Sequence, residues 1–240
     1  DYESYQARYG LGYTTFATQY NDVTIEQRSF GPRTDSCEIY TIKITNNAKR
    51  TKELSLFSFH EWCLGNGTDT HREFQKTFIQ TEIDRKHGAL FATKRPALVP
   101  HFISTGAKDA PLSGFAAFTN KKAIEYDGDK ETIIGMYGDI KRPKAVVKGR
   151  LEPRREIEKW GDAAASLQMN VTIPAGKTKE LIYLIGRVET KAQMVRLIKK
   201  YSTKANVTNA LKEVKNFWQS ITDASWIDTP DEAMNFLTNK

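Results

Sequence analysis

Residues 61–78, EWCLGNGTDTHREFQKTF, bring together side chains that bind polar ligands. They follow TKELSLFSFH, a run dense in β-formers, and a hydrophobic run resumes at TFIQTEI. Amide side chains donate hydrogen bonds to hydroxyl groups and accept them, and a cation holds a phosphate or a carboxylate. The pattern predicts a polar loop between two strands, and one interpretation is that it displays Asn66, His71, Arg72, Glu73, Gln75 and Lys76 to a ligand. The alternative is an ordinary solvated loop.

The composition narrows the classes of partner. Of 240 residues, 39% are hydrophobic and 27% are charged, which is typical of a soluble globular protein large enough for a full core. No run approaches eighteen apolar residues, so we expect no membrane partner. The net charge is +7, but the basic residues form small separate clusters, and we expect no nucleic-acid partner. A mild positive field suits an anionic small molecule such as phosphate.

Cysteine and histidine provide neither a disulfide framework nor a metal site. The two cysteines, Cys37 and Cys63, lie in strand-like contexts and are expected to be small buried hydrophobes in a reducing compartment. The four histidines are scattered, without zinc-ligand spacing. The first residues, DYESYQARYG, show no signal peptide. We therefore predict a cytoplasmic protein with no metal and no organic cofactor.

The first 190 residues have the two-residue period of β-strands. In CEIYTIKITNN, Tyr40, Ile42 and Ile44 alternate with polar residues, which predicts a strand with one buried face. In ELSLFSFHEW, leucines fall on one face and phenylalanines on the other, which predicts a central strand covered on both sides. In AASLQMNVTIPAGKTKELIYLIGRV, strict alternation and a Pro-Ala-Gly turn predict a β-hairpin.

After residue 190 the period becomes helical. Met194, Leu197, Ile198 and Tyr201 share one helical face, as do Val207, Leu211, Val214 and Trp218. This change predicts a sandwich domain over residues 1–190 and a helical segment over 191–240. TPDEAMNFLTNK predicts one more helix, capped by Thr229, which is too short to bury a face alone. We therefore expect the polypeptide to be longer than these 240 residues.

Five pieces of the chain, in this order, resemble the N-terminal part of the glycoside hydrolase family 94 phosphorylases. They are YESYQARYGLGYTTF, CEIYTIKITNNAKRTKELSLFSFHEWCLGN, EFQK, VTIPAGKTKELIYLIGRV and ALKEVKNFWQSI. The resemblance implies a large antiparallel super-β-sandwich, then linker helices that lead to an (α/α)6 barrel absent from this chain. It also implies a homodimer. We expect 191–240 to be that linker.

The resemblance implies inverting phosphorolysis of β-linked gluco-oligosaccharides. Inorganic phosphate is the nucleophile and co-substrate, and one aspartate, in the absent barrel, is the general acid. No catalytic residue is therefore expected in these 240 residues, which alone should be inactive. The alternative is a non-catalytic module that binds carbohydrate or mediates dimerisation.

The resemblance also assigns a role to the opening stretch. In the family, the loop after the LFSF strand lines the acceptor-sugar side of the partner subunit's active site. Asn66 and Gln75 match the family pattern, whereas Glu73 replaces an asparagine and Lys76 replaces an arginine. A lysine cannot reproduce the two-pronged hydrogen bonding of an arginine, so the departures predict an acceptor other than plain cellobiose or chitobiose.

Two further features are weaker candidates. The glycines of RYGLGYT could cradle a phosphate, but a tight bend that lets strands approach closely is the favoured interpretation. Trp160, in the loop EKWGD, is the one tryptophan that we consider for a ligand contact.

Overall fold

A computed structural model describes residues 2–64, 77–94 and 113–239 of the chain. Within these ranges it contains strands β1 (Ser4–Gly10), β2 (Tyr13–Tyr20), β3 (Val23–Phe30), β4 (Cys37–Asn46), β5 (Lys52–Phe57), β6 (His60–Glu61), β7 (Ile79–Asp84), β8 (Ala89–Lys94), β9 (Ser113–Phe118), β10 (Glu125–Asp129), β11 (Ile157–Glu158), β12 (Ala163–Ile173) and β13 (Thr178–Val188). The helices in the same ranges are α1 (Lys130–Ile133), α2 (Lys144–Lys148), α3 (Lys191–Lys200), α4 (Lys204–Ala224) and α5 (Glu232–Asn239).

The strands form two antiparallel sheets of unequal width. The wide sheet has nine strands in the order β1-β2-β3-β4-β13-β9-β8-β7-β11. The narrow sheet has the order β10-β12-β5, and the short β6 also pairs with β12. The predicted antiparallel two-sheet sandwich followed by helices is confirmed.

The main core lies between the sheets and follows from the alternation in the sequence. Leu167, Met169 and Val171 of β12 are almost fully buried and belong to the same cluster as Leu181 and Tyr183 of β13. Removing these side chains from water is the main driving force that holds the two sheets together. The polar residues of β12 alternate with them and lie on the outer face of the narrow sheet.

The predicted hairpin is wrong, although both of its strands and its turn exist. β12 pairs with β5, β6 and β10 in the narrow sheet, whereas β13 pairs with β4 and β9 in the wide sheet. Residues 174–177 therefore form an arch that carries the chain from one sheet to the other. The buried Asn46 holds this arch. Its side-chain amide donates to the Ile173 carbonyl (2.8 Å), and its backbone carbonyl accepts from the Gly176 backbone amide (3.0 Å).

The predicted central strand is also corrected. Among the described residues, β5 pairs only with β12 and is an edge strand of the narrow sheet. Its two apolar faces have separate neighbours: Leu54 and Leu56 pack on the core between the sheets, and Phe57 packs on a smaller cluster. That cluster includes residues of α1 and α2, which cover the outer face of the narrow sheet. Burial on both faces therefore reflects a further layer rather than neighbouring strands on both edges.

Helices α3 and α4 pack on the outer face of the wide sheet, as their helical spacing predicts. Met194 and Leu197 of α3, with Val207 and Val214 of α4, share a buried cluster with residues of the sheet. Threonine side chains cap both helices: Thr190 accepts from the Gln193 amide and Thr203 from the Asn206 amide (both 3.3 Å). The final helix α5 begins at Glu232, because Asp231, rather than Thr229, accepts from the amides of its first turn.

The β1–β2 turn confirms the tight bend expected at the glycine motif, but the element that approaches Gly12 closely is a helix rather than a strand. Gly12 has a φ of 79°, and a side-chain carbon added there would come within 2.5 Å of the Trp218 ring. The glycine therefore serves both the turn and the close approach of α4 to the sheet.

Candidate functional site

The predicted site residues Asn66, Glu73, Gln75 and Lys76 lie in the segment 65–76, outside the described residues. The structure does describe the strands that precede and follow this segment, and those of the neighbouring segment 95–112. The candidate site therefore consists of the described residues directly before and after these two segments.

Both segments join the wide sheet at the same end of its strands. Ile79 at the start of β7 pairs with Lys94 at the end of β8, and Thr93 beside it pairs with Ser113 at the start of β9. Ser113 in turn pairs with Val188 at the end of β13. Residues 65–76 and 95–112 are thus connected to adjacent strands, at one end of the sandwich.

Trp62 fixes the chain just before residue 65. Its side chain is 4% exposed and belongs to the main core. The indole Nε1–H donates to the Ala164 carbonyl of β12 (3.0 Å), and the ring contacts the place where a side chain at Gly114 of β9 would lie. Trp62 therefore links the exit from β6 to both sheets, and Gly114 is required to be small there.

A half-buried histidine, paired with a buried tyrosine, lies beside this exit. His60 of β6 is hydrogen-bonded through Nε2 to the hydroxyl of Tyr183, a core residue of β13. Burial lowers the pKa of the His60 imidazole to about 4 and raises the pKa of the Tyr183 hydroxyl. Both groups are therefore neutral at pH 7, and the pair joins the two sheets without a charge in the core.

Ion pairs fix the next residue of the same strand. Lys130 at the start of α1 binds the Glu61 carboxylate (2.9 Å) and lies 3.4 Å from Asp162. The hydrogen bond that Lys130 donates to Glu61 is the main reason that the pKa of Lys130 is raised. Residues 60–62 are thus held by a hydrogen bond, a salt bridge and a buried ring in succession.

Lys94 ends β8 at the same end of the sheet and is a site residue that the sequence patterns did not predict. Burial lowers the pKa of its ammonium below the usual range, and Cys63 lies close enough to oppose that shift. The apolar run before it, ALFA, is the signal that could have drawn attention to this lysine. Cys63 itself is exposed, which corrects the expectation of a buried thiol; β6 ends at Glu61, two residues earlier.

The remaining candidates lie apart from this end of the sheet. Cys37 is half-buried, and burial raises the pKa of its thiol to about 12. Trp160 is 68% exposed and has a positive φ of 68° in the turn after β11.

The described ranges contain no group of three His, Cys, Asp or Glu side chains arranged to hold a metal ion. None of the helices described combines the length and apolar character needed to cross a bilayer.

The fold and the sequence together define a class of protein. The family model described as "Glycosyl hydrolase 94, supersandwich domain" matches residues 1–204. The chain therefore belongs to the supersandwich domain family of glycosyl hydrolase 94.

Individual relatives show how the match extends along the chain. It is 26% identical over 237 residues to "Cyclic beta-(1,2)-glucan synthase NdvB" of Rhizobium meliloti (strain 1021). It is 24% identical over 240 residues to an N,N'-diacetylchitobiose phosphorylase of Vibrio proteolyticus, and 23% over 237 residues to a solabiose phosphorylase of Paenibacillus borealis. Each alignment covers 98% or more of this chain, but only 8%, 28% and 29% of these relatives.

Proposed function

We propose that this chain is the N-terminal sandwich domain of an inverting glycoside phosphorylase that acts on β-linked gluco-oligosaccharides. Residues 1–190 form the sandwich, and 191–240 form the linker toward a catalytic barrel. In a homodimer, the domain shapes the acceptor side of the partner subunit's active site and part of the dimer interface. The observation that carries this proposal is the family match over residues 1–204.

The proposed reaction transfers a glycosyl group to phosphate. A phosphate oxygen attacks the anomeric carbon while the bond from that carbon to the glycosidic oxygen breaks. A general acid in the barrel protonates the departing oxygen, so the products are a sugar 1-phosphate with inverted configuration and the shortened acceptor. This chain supplies no catalytic group, and its share is to position the acceptor.

The firmly held residues before and after the segment 65–76 support this role. A loop that recognises sugar hydroxyls must be held in place, since a misplaced contact loses its binding energy to conformational entropy. Residues 60–62 and the strands β7, β8 and β9 provide firm attachment on both sides of residues 65–76. The amides of Asn66 and Gln75 bind acceptor hydroxyls, and Glu73 and Lys76 select the acceptor.

The proposed function makes a direct prediction about activity. The 240-residue chain alone should form no sugar 1-phosphate from any β-linked gluco-oligosaccharide, because the general acid is outside it. A longer natural polypeptide that includes the barrel should release sugar 1-phosphate only when phosphate is present. Phosphate-dependent cleavage by the short chain, or simple hydrolysis by the long one, would contradict the proposal.

A second prediction concerns the loop. In the longer protein, Asn66→Ala and Gln75→Ala should each weaken acceptor use about threefold to tenfold in the synthetic direction, the range expected for one hydrogen bond. Lys76→Ala should weaken acceptor use further if the acceptor is anionic or a phosphate lies nearby, since charge-assisted bonds are about twice as strong.

The unfolding midpoint of the three loop variants should hardly change. Asn216→Ala, which removes an exposed amide of α4, is the control. An unchanged acceptor KM in all three loop variants would reduce residues 65–76 to ordinary surface.

The alternative function is a non-catalytic module that binds carbohydrate or mediates dimerisation. Exposed tyrosine rings on β1 favour this candidate: Tyr5 is 52% exposed and Tyr9 is 79% exposed. The parent gene separates the two: several hundred residues of helical repeat pattern after Lys240 support the enzyme, and their absence supports the module.

A further inference from the structure

The two sheets differ in width, and the narrow sheet leaves part of the wide sheet uncovered among the described residues. Strands β1, β2 and β3 lie at one edge of the nine-stranded sheet, whereas the narrow sheet packs mainly on β7, β8, β9 and β13. Cross-strand pairing shows which of their residues continue the core face. Three rows of paired residues run outward from β4 to β1: Ile44, Ile25, Thr18 and Tyr5; Ile42, Gln27, Phe16 and Ala7; and Tyr40, Ser29, Thr14 and Tyr9.

The outer half of this face carries an aromatic platform, which consists of Tyr2, Tyr5, Tyr9 and Phe16. Tyr5 and Tyr9 flank Phe16, with both ring-centroid distances 6.3 Å, and Tyr2 lies 5.6 Å from Tyr5. Tyr2, Tyr5 and Tyr9 are 62%, 52% and 79% exposed, respectively. Rings of this size are normally buried, so a contiguous exposed group marks an interaction site.

The chemistry around the rings selects the ligand. The hydroxyls of Thr14 and Thr18 and the amide of Gln27 alternate with the rings in the same three rows. A dry apolar partner would leave these polar groups without hydrogen bonds, at a cost in binding free energy. The rows contain no charged residue, whereas Arg8 and Arg28 lie on the opposite face. The face therefore suits a neutral ligand that combines apolar patches with many hydroxyls.

A groove begins beside the platform at Thr18, the residue paired with Tyr5, and reaches the narrow sheet. It runs between the β2–β3 hairpin and the free edge of β5, with a volume of about 580 Å³. Thr18 and Ile25 line it from the wide sheet. On the β5 side the lining includes Ser55 and charged side chains of both signs, Arg50, Lys52 and Glu53. This volume lies within the usual range for small-molecule sites, and the walls offer both apolar surface and hydrogen-bonding groups.

We propose that the platform and this groove bind a neutral β-linked gluco-oligosaccharide. The apolar faces of successive pyranose rings would stack on Tyr5, Phe16 and Tyr9, and their equatorial hydroxyls would bond to the threonine and glutamine side chains. The platform rings lie in or just before β1 and in β2, whereas residues 65–76 follow β6 and precede β7. The choice of sugar class rests on the proposed function, whereas the platform itself rests on the rings and their polar neighbours.

The test is binding by the 240-residue chain, measured by isothermal titration calorimetry. The probes are cellohexaose, laminarihexaose and a β-1,2-linked glucohexaose. We expect at least one of them to bind. Tyr5→Ala and Tyr9→Ala should each weaken binding about threefold to tenfold, the range expected for the loss of one aromatic contact. Tyr5→Phe and Tyr9→Phe keep the rings and should stay within about twofold of the unmodified chain.

Tyr137→Ala is the matched control, since this tyrosine is 97% exposed on the turn after α1. It should leave binding unchanged. Absence of binding for all three hexaoses, or equal loss in the Tyr137→Ala variant, would overturn the proposal. So would a dimer in sedimentation that becomes monomeric in the Tyr5→Ala, Tyr9→Ala double variant, because the occupant would then be a second copy of the chain. Failure of the proposed function would instead appear as absent phosphorolysis in the longer protein, with sugar binding by this chain intact.

Discussion

Replacing Trp62 by alanine is expected to lower the free energy of unfolding by about 3–5 kcal/mol. The ring is almost fully buried in the main core, and its removal leaves a cavity beside Gly114. The change also removes the donor to the Ala164 carbonyl, a buried acceptor on β12. Urea unfolding at 25 °C of the 240-residue chain measures the effect.

Two comparison variants make this prediction specific. Trp62→Phe keeps most of the ring but removes the N–H, and should cost about 1–3 kcal/mol through the unpaired carbonyl. Trp226→Ala removes the same side chain from a position that is 56% exposed, and should change stability by less than about 0.5 kcal/mol. A loss below about 1 kcal/mol for Trp62→Ala would show that the exit from β6 is not held by this ring.

Local patterns in the sequence predicted most of the elements. Alternation identified β4, β12 and β13, because a strand with a buried face repeats every two residues. The helical faces of α3 and α4 were equally legible, since Met194, Leu197, Val207 and Val214 recur at helical spacing and contact the sheet. Each of these features depends only on residues close in the sequence.

Pairing between distant strands could not be predicted in the same way. The turn at residues 174–177 fits a hairpin and an arch equally well, and the choice depends on which strands lie beside β12 and β13. Asn46 and β5 decide it. The Asn46 side chain donates to the Ile173 carbonyl, 127 residues later in the sequence, and β5 pairs with β12 along a ladder that includes the pair Leu54 and Val171. Likewise, Leu54, Leu56 and Phe57 of β5 predict cover on both faces but not the helical layer that covers one of them.

The platform and the anchoring of the candidate site show the same limit. Tyr5, Tyr9 and Phe16 belong to two strands, and only the register of β1 on β2 places them on one face. The partners of Trp62 and His60, Ala164 and Tyr183, are more than 100 residues away. Sequence reasoning could select the segment 65–76 by its polar residues, but the contacts that hold the preceding strand depend on the tertiary fold.

Asp127 provides the last prediction, a dependence of stability on pH. Its carboxylate is 1% exposed beneath α1, where it accepts from the Thr132 hydroxyl (2.7 Å) and the Asp129 amide (3.1 Å). Burial is the main cause that raises the pKa of Asp127 from near 3.8 to about 6, with the hydrogen bonds opposing it. The ionised form is therefore disfavoured in the folded state, which costs about 3 kcal/mol above pH 6. As pH falls below 6 that cost is relieved, with about 1 kcal/mol recovered by pH 5.

Asp127→Asn should remove this cost, because an amide can donate to Thr132 and still accept from the Asp129 N–H. We expect the variant to be more stable than the unmodified chain at pH 7.5, and its advantage to shrink by about 1 kcal/mol at pH 5. Asp84→Asn is the opposite control. Burial alone would raise the pKa of Asp84, but hydrogen bonds from His87 lower it, so its loss should destabilise the fold by about 1–2 kcal/mol. Urea unfolding at both pH values tests the pair. An Asp127→Asn variant whose advantage is absent, or unchanged between pH 7.5 and 5, would mean that water or protein rearrangement solvates this carboxylate in the folded state.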